Sequence, residues 1–235
     1  MFKMLVKFTK QDRMKFLSHL ELIKLVERAF RRASVPLKFS QGFNPHPKIA
    51  FAAPLAVGVS SEGEYLTVEL DEKLDTKEFV DNLNNVLPEG IKFLKAKYID
   101  NKSKSLMSIV EDATYIIKCR LKKNYSLEEL NDFIKKFLSR NEISHEKRGK
   151  RGKVKTVDIR SLIKEIIALS LDGNEIIFKM TVSTGSQGNL KPEIAIQKLA
   201  LLENVEIETE SIRVHRIEIF SSEGNKKLVP IDAII

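Results

Sequence analysis

The sequence predicts an α+β protein of two tandem ferredoxin-like halves, each a split βαβ unit with an antiparallel sheet. Three observations predict it. Segments of alternating apolar residues, the period of a half-buried strand, are interleaved with segments whose apolar residues recur at helical spacing. The order strand, helix, strand or hairpin, strand, helix, strand occurs before residue 105 and again after it, without any repeat in the residues themselves. A polar stretch at 100–108, rich in lysine, asparagine and serine, separates the two. Residues 1–105 are therefore assigned to an N-terminal domain with an elaborated Pro/Gly-rich loop, and 106–235 to a C-terminal domain with a basic hairpin.

The first strand is residues 2–9, where Phe2, Met4, Val6 and Phe8 fall on one side. Ser18-His19-Leu20-Glu21 then has the form of a capping box and opens a helix. Leu22, Ile23, Val26, Ala29, Phe30 and Ala33 form its apolar face, and Lys24, Arg28, Arg31 and Arg32 its basic one. Residues 38–65 hold three prolines and three glycines, too many for one uninterrupted element. They read as a strand, a turn at 41–47, a strand at 48–53 and a second turn at 58–63. Within the first turn Pro45 and Pro47 bracket His46 and fix the backbone on both sides of it. A strand at 65–70, a helix from the cap at Asp75 or Thr76 to Leu87, and a strand at 91–99 complete the first half.

The second half repeats the order. Residues 114–121 read as a strand, and Ser126 caps a helix with Leu130, Phe133, Ile134, Phe137 and Leu138 on its apolar side. His145 to Lys153 is too polar and Gly-rich for a core and reads as a basic hairpin tip. Residues 159–163 are too short to assign. Strands at 166–171 and 175–182 flank Asp172-Gly173, a hairpin turn. A Gly/Ser loop leads into a helix from Pro192 to about Glu203, a strand at 212–220 closes the half, and the tail through Ile231 docks or hangs free.

Charge narrows the function. The net charge of +8 is not spread evenly. Residues 1–60 hold eleven Lys or Arg against three acids, and residues 145–155 hold six against one. Local basicity on an otherwise acidic chain points to a polyanion, most simply nucleic acid. The single Cys119 excludes an internal disulfide, and lysines interrupt the apolar residues at the start, so no signal-peptide core is formed. With no apolar run of about 18 residues, a cytoplasmic protein without membrane association is expected.

Metal and nucleotide-hydrolase chemistry lacks a motif: there is no Cys-x-x-Cys, His-Glu-x-x-His or Walker A pattern. No metal and no cofactor are expected. His19 and His46 are the candidates for acid-base cleavage of a phosphodiester, provided the fold brings them together. Metal binding by the same pair needs a third ligand from Glu21, Glu62 or Glu64, at no recognisable spacing. Gly185, Ser186 and Gly188, just before a helix, can offer backbone amides to a phosphate. Phe39, Phe43, Phe51 and Tyr65 interleave with Lys38 and Lys48 as in sheets that stack bases, Phe43 being the one expected at the surface.

The segments Phe16-Leu17-Ser18-His19-Leu20-Glu21, Gly42-Phe43-Asn44-Pro45-His46-Pro47-Lys48-Ile49 and Pro54-Leu55 through Gly58-Val59-Ser60-Ser61-Glu62-Gly63-Glu64-Tyr65 resemble the bacterial radical-SAM-linked protein family, a domain of unknown function. Val157-Asp158-Ile159-Arg160 and Lys191-Pro192-Glu193 fit it more loosely. Such proteins stand alone or are joined to a radical-SAM enzyme, often beside genes for RNA processing or ribosomes. The resemblance implies a radical-SAM partner and an RNA context, and it carries no activity of its own. One cysteine cannot supply the three thiolates of a radical-SAM cluster, so the radical chemistry would belong to that partner.

The expected function is a non-catalytic RNA-binding accessory, with tRNA or rRNA as the RNA, working with a radical-SAM enzyme in RNA modification or processing. Arg28, Arg31, Arg32 and Lys48 would hold phosphates in the first half. Lys147, Arg148, Lys150 and Arg151 would clamp from the hairpin, and Phe43, Asn44 and His46 would read a base or a partner. Two alternatives stand beside it: a docking module for the radical-SAM partner that binds no RNA, and a metal-independent ribonuclease using His19 and His46.

Overall fold

Alternation places Met4, Val6 and Phe8 on one face of the first strand, β1 (Phe2–Lys10), and all three are fully buried. The computed structural model describes residues 2–148, 154–185, 188–223 and 226–230. A 3-10 turn (Asp12–Phe16) leads to Ser18, whose hydroxyl accepts from the Glu21 amide while the Glu21 carboxylate accepts from the Ser18 amide. That reciprocal cap, whose Ser contributes about 1 kcal/mol, starts α1 (His19–Arg32) at the predicted residue. The helix ends before Ser34, which takes a positive φ of 51°, so Pro36 lies beyond the end and does not cause it. The Pro/Gly-rich stretch forms only isolated bridges, Leu37 to Leu70 and Phe39 to Pro47, before the short β2 (Ile49–Phe51).

Next come β3 (Ser60–Leu70), α2 (Thr76–Asn84) and β4 (Phe93–Ile99). The second predicted turn, at 58–63, is shorter than expected, because β3 already begins at Ser60 and runs through Gly63. A Cβ on Gly63 would lie 2.5 Å from the carbonyl oxygen of Ile217. The glycine is there for close backbone approach within a strand, a use that reads in sequence as a break.

The second half contributes α3 (Leu106–Ile109), β5 (Val110–Leu121), α4 (Leu127–Leu138), β6 (Ser144–Arg148), β7 (Val154–Asp158), β8 (Ile163–Asp172), β9 (Glu175–Ser183), α5 (Pro192–Glu203), β10 (Ile207–Glu223) and β11 (Lys226–Leu228). The unassigned 159–163 stretch is a 3-10 turn (Arg160–Leu162). The molecule is thus mixed α+β, with mostly antiparallel strands and few helices. Among the described residues no helix is long and apolar enough to cross a membrane.

The chain divides into two compact units, Met1–Glu111 with Arg216–Ile235, and Asp112–His215. The expected division at 105/106 is displaced, and the end of the chain belongs with the first unit. The reason is β10, whose 17 residues far exceed the predicted 212–220: its first part pairs with β5 and its second part with β3. The tail continues as β11 on β10.

In the first unit the strands lie in the order β4-β1-β3-β2, each pair antiparallel. Leu22, Val26, Ala29 and Phe30 of α1, with Phe79 and Leu83 of α2, pack on the face made by Met4, Val6, Phe8, Leu66, Val68 and Leu70. In the second unit the order is β10-β5-β9-β8. The β5–β9 and β8–β9 pairs are antiparallel, the latter turning at Gly173 with φ 57°. A second capping box, Ser126 with Glu129, starts α4, and Glu203 at the end of α5 is buried against Arg140 and Lys136. Cys119 is buried in this unit, and burial pushes its thiol pKa up to about 12, so it is an inert core thiol.

Candidate functional site

The core rows of the first unit end in charge. Met4, Val6 and Phe8 occupy successive core positions along β1, and the next position on that side is Lys10. Across the strand pair, Leu70, Val68 and Leu66 lead to Glu64, which sits directly opposite Phe8. Neither charge reaches solvent: Lys10 is 1% exposed and Glu64 6%. Arg216, also 1% exposed, grips Glu64 with Nε to Oε1 at 2.8 Å and Nη2 to Oε2 at 2.7 Å, and donates a further bond to the carbonyl of Ala53 at 3.0 Å. The fork geometry explains why an arginine stands here.

Lys10 Nζ donates to the carbonyl oxygen of Leu17 at 2.7 Å, tying the end of β1 to the segment before α1. Burial is the largest influence on this amine and lowers its pKa from the ordinary lysine value; Glu64 pulls it back up, Arg216 adds to the lowering, and Glu21 acts most weakly. Lys10, His19, Leu22, Phe51, Ala52, Ala53, Pro54, Leu55, Glu64 and Tyr65 line a small pocket. His19, first residue of α1, is half-buried there with its ring edge-on to Phe51 at 5.6 Å. The pocket draws on all the segments 16–21, 49–55 and 60–65, and His46 is not among its lining residues.

His46 lies on the exposed loop that Phe39 and Pro47 close. Its amide donates to the Ser40 hydroxyl at 3.0 Å and its carbonyl accepts from the Ser40 amide at 2.9 Å, so the backbone is held while the surface stays open. Phe43 at the tip is fully exposed, as expected, and Asn44 is exposed beside it. Of the aromatics grouped with it, Phe39 is exposed, Phe51 half-buried and Tyr65 buried.

The predicted phosphate ligands divide. Arg28 is exposed on the outer face of α1, as is Lys24. Arg31 has only a loose contact with Glu27 at 4.0 Å. Arg32 is committed to the carbonyl of Val86, and Lys48 to Glu69 at 3.1 Å. On the hairpin, Lys147 is exposed and stands directly across from Lys155, which sequence reasoning passed over; the backbone of Arg148 pairs with Val154. Lys150, Arg151 and Ser186 lie outside the described residues. Asp158 anchors the hairpin, its Oδ1 accepting from the amides of Ile143 at 2.9 Å and Arg160 at 2.8 Å. Those two bonds hold its carboxyl below the usual carboxylate range.

The Gly185 to Gly188 loop is less open than its composition suggests. Gly185 takes a φ of 131°, but a Cβ on Gly188 would meet Leu162 Cδ2 at 2.6 Å, so Gly188 is packed against a side chain. The Leu190 amide is spent on Ser183, and Pro192 has no amide to give. Among the described residues no group of three His, Cys, Asp or Glu is placed to hold a metal ion.

The residues that sequence reasoning missed are Lys10, Glu64 as an ion-pair partner, and Arg216. The signal for the first two was present: each continues a strictly alternating apolar row into a core position with a charge.

Among solved structures the chain is similar to one from a Cbf5-Nop10-Gar1 complex, at 12% identity and a TM-score of 0.53, covering 92% of this chain and 48% of that one. It is similar also to one from an H/ACA RNP bound to a substrate RNA containing 2'-deoxyuridine, at 12% identity and a TM-score of 0.50, covering 91% and 46%. Likeness at that identity concerns the fold alone, and the chain spans about half the length of these proteins. No curated protein matches the sequence. Residues 3–192 match the profile of DUF2344, uncharacterized proteins conserved in bacteria, and the chain belongs to that family.

Proposed function

We propose that this chain is a non-catalytic RNA-binding protein that works beside a radical-SAM enzyme in RNA modification or processing. The observation that carries the reading is the β6–β7 register, which sets Lys147 directly opposite Lys155 on an exposed hairpin. Like charges in that position repel and destabilise the pair unless an anion lies between or above them. A hairpin that keeps them is suited to a phosphate backbone. The exposed Lys24, Arg28 and Arg31 on α1 give the first unit a cationic helix face of the same character.

The strand orders β4-β1-β3-β2 and β10-β5-β9-β8 support reading both units as ferredoxin-like, with β6–β7 an insertion in the second. One protein of similar fold is part of an RNP with a bound substrate RNA, which is consistent with an RNA role here. The radical-SAM partner rests on the resemblance carried by residues 16–65. A second reading, docking of the partner without RNA, is favoured by the fully exposed Phe43 on its braced loop.

Filter binding of total cellular RNA across a salt series tests the choice. RNA binding predicts retention at low salt that falls by about 0.7–0.9 log units per log unit of salt for each phosphate neutralised. Absence of retention at low salt overturns it and leaves the docking reading.

A further inference from the structure

The buried charges of the first unit do not balance. Lys10 and Arg216 are cationic groups at 1% exposure, and Glu64 is the one acid buried with them at the pocket. Arg216 takes both oxygens of Glu64, so that acid is already spent on the guanidinium. Glu21, the other acid that Lys10 feels, is exposed, is bonded to Ser18 at 2.8 Å, and acts on Lys10 most weakly. An ammonium has three donors. Among the described residues, Leu17 O is the one acceptor that Lys10 Nζ bonds. A buried, largely unmatched cation is costly, and it is relieved by losing its proton or by gaining an anion.

The pocket provides room for the second. It is walled by Phe51, Ala52, Ala53 and Leu22, reached past the exposed Pro54, and bordered by His19 at the start of α1, where the helix dipole is positive. We propose that this pocket binds one oxyanion group, a carboxylate or a phosphate, with Lys10 as its charged ligand and His19 at its edge. The unoccupied pocket favours the neutral amine, in keeping with the lowered pKa of Lys10. Binding then takes up a proton at Lys10, with Glu64, Arg216 and Glu21 as the surrounding charges and His19 and Tyr65 as the other titratable groups of the wall. The site does not depend on RNA binding, since its residues are separate from the cationic hairpin.

The test is an NMR titration of the whole chain, following the ring signals of His19, His46, His145 and His215, with inorganic phosphate, acetate and chloride at matched ionic strength and pH. The His19 signals should shift saturably while the other three stay in place. A response to phosphate alone supports the site and assigns it to phosphate esters; a response to acetate alone supports it and assigns it to carboxylates; a response to both supports a general oxyanion pocket. No response, or the same response to chloride, overturns it. Lys10→Met should abolish the shift, and persistence of the shift in that variant also overturns the proposal. The wild-type titration decides the matter if the variant fails to fold. Apparent affinity should fall by about tenfold per pH unit above the free-state pKa of Lys10.

Discussion

Lys10, Glu64 and Arg216 are each large, charged and out of solvent, and each is explained by a neighbour. Breaking such a set by removing one member leaves a charge with no counterpart in low dielectric. Glu64→Gln should therefore lower the free energy of unfolding by about 3–5 kcal/mol in urea denaturation. The double replacement Glu64→Leu/Arg216→Met should cost less than that single change, because no charge is stranded. Equal losses in both would show that packing, not charge, holds the position. The first two residues were legible in the alternation of β1 and β3, where a charge takes the place of the next apolar residue. Arg216 was not, because its partner is 152 residues away and nothing near it in sequence reports the pairing.

At the scale of elements, local chemistry was the readable part. The boxes at Ser18 and Ser126, the Asp75 cap and the Asp172-Gly173 turn all act within a few residues, and the structure has each of them where sequence places it. Gly63 and the ends of β10 depend on what approaches from elsewhere, so propensity misjudged them. The β6–β7 hairpin lies between, since its polar tip was readable and its anchor, Asp158, was not. The folded-state pKa of Asp158 lies below the ordinary value of about 3.9, because the Ile143 and Arg160 amides stabilise the carboxylate. Its contribution is complete above that ordinary value and is lost as pH falls through the lower folded one. Protection of those two amides against hydrogen exchange should drop in that acid window. Asp158→Asn should keep much of the protection at neutral pH and lose its pH dependence, whereas unchanged acid behaviour in Asp158→Asn would remove Asp158 as the cause.

For the molecule as a whole, the α+β class followed from the order of elements, which periodicity reports well. The assignment of 216–230 to the first unit did not follow, because a 17-residue strand shared between two units looks, in sequence, like one ordinary closing strand with a polar tail. Function was legible only as charge. The basic segments are clear in the sequence, but which cations are occupied, Arg32 and Lys48, and which stand open, Arg28 and Lys147, needed the folded chain. The central claim is that the open cations engage RNA. Crosslinking in cells, followed by sequencing of the RNA recovered with wild type and with Lys147→Glu/Lys155→Glu, tests it most directly. The account predicts one enriched class of RNA with the wild type and its loss with the variant. Recovery at background level in both, or undiminished recovery with the variant, would contradict it.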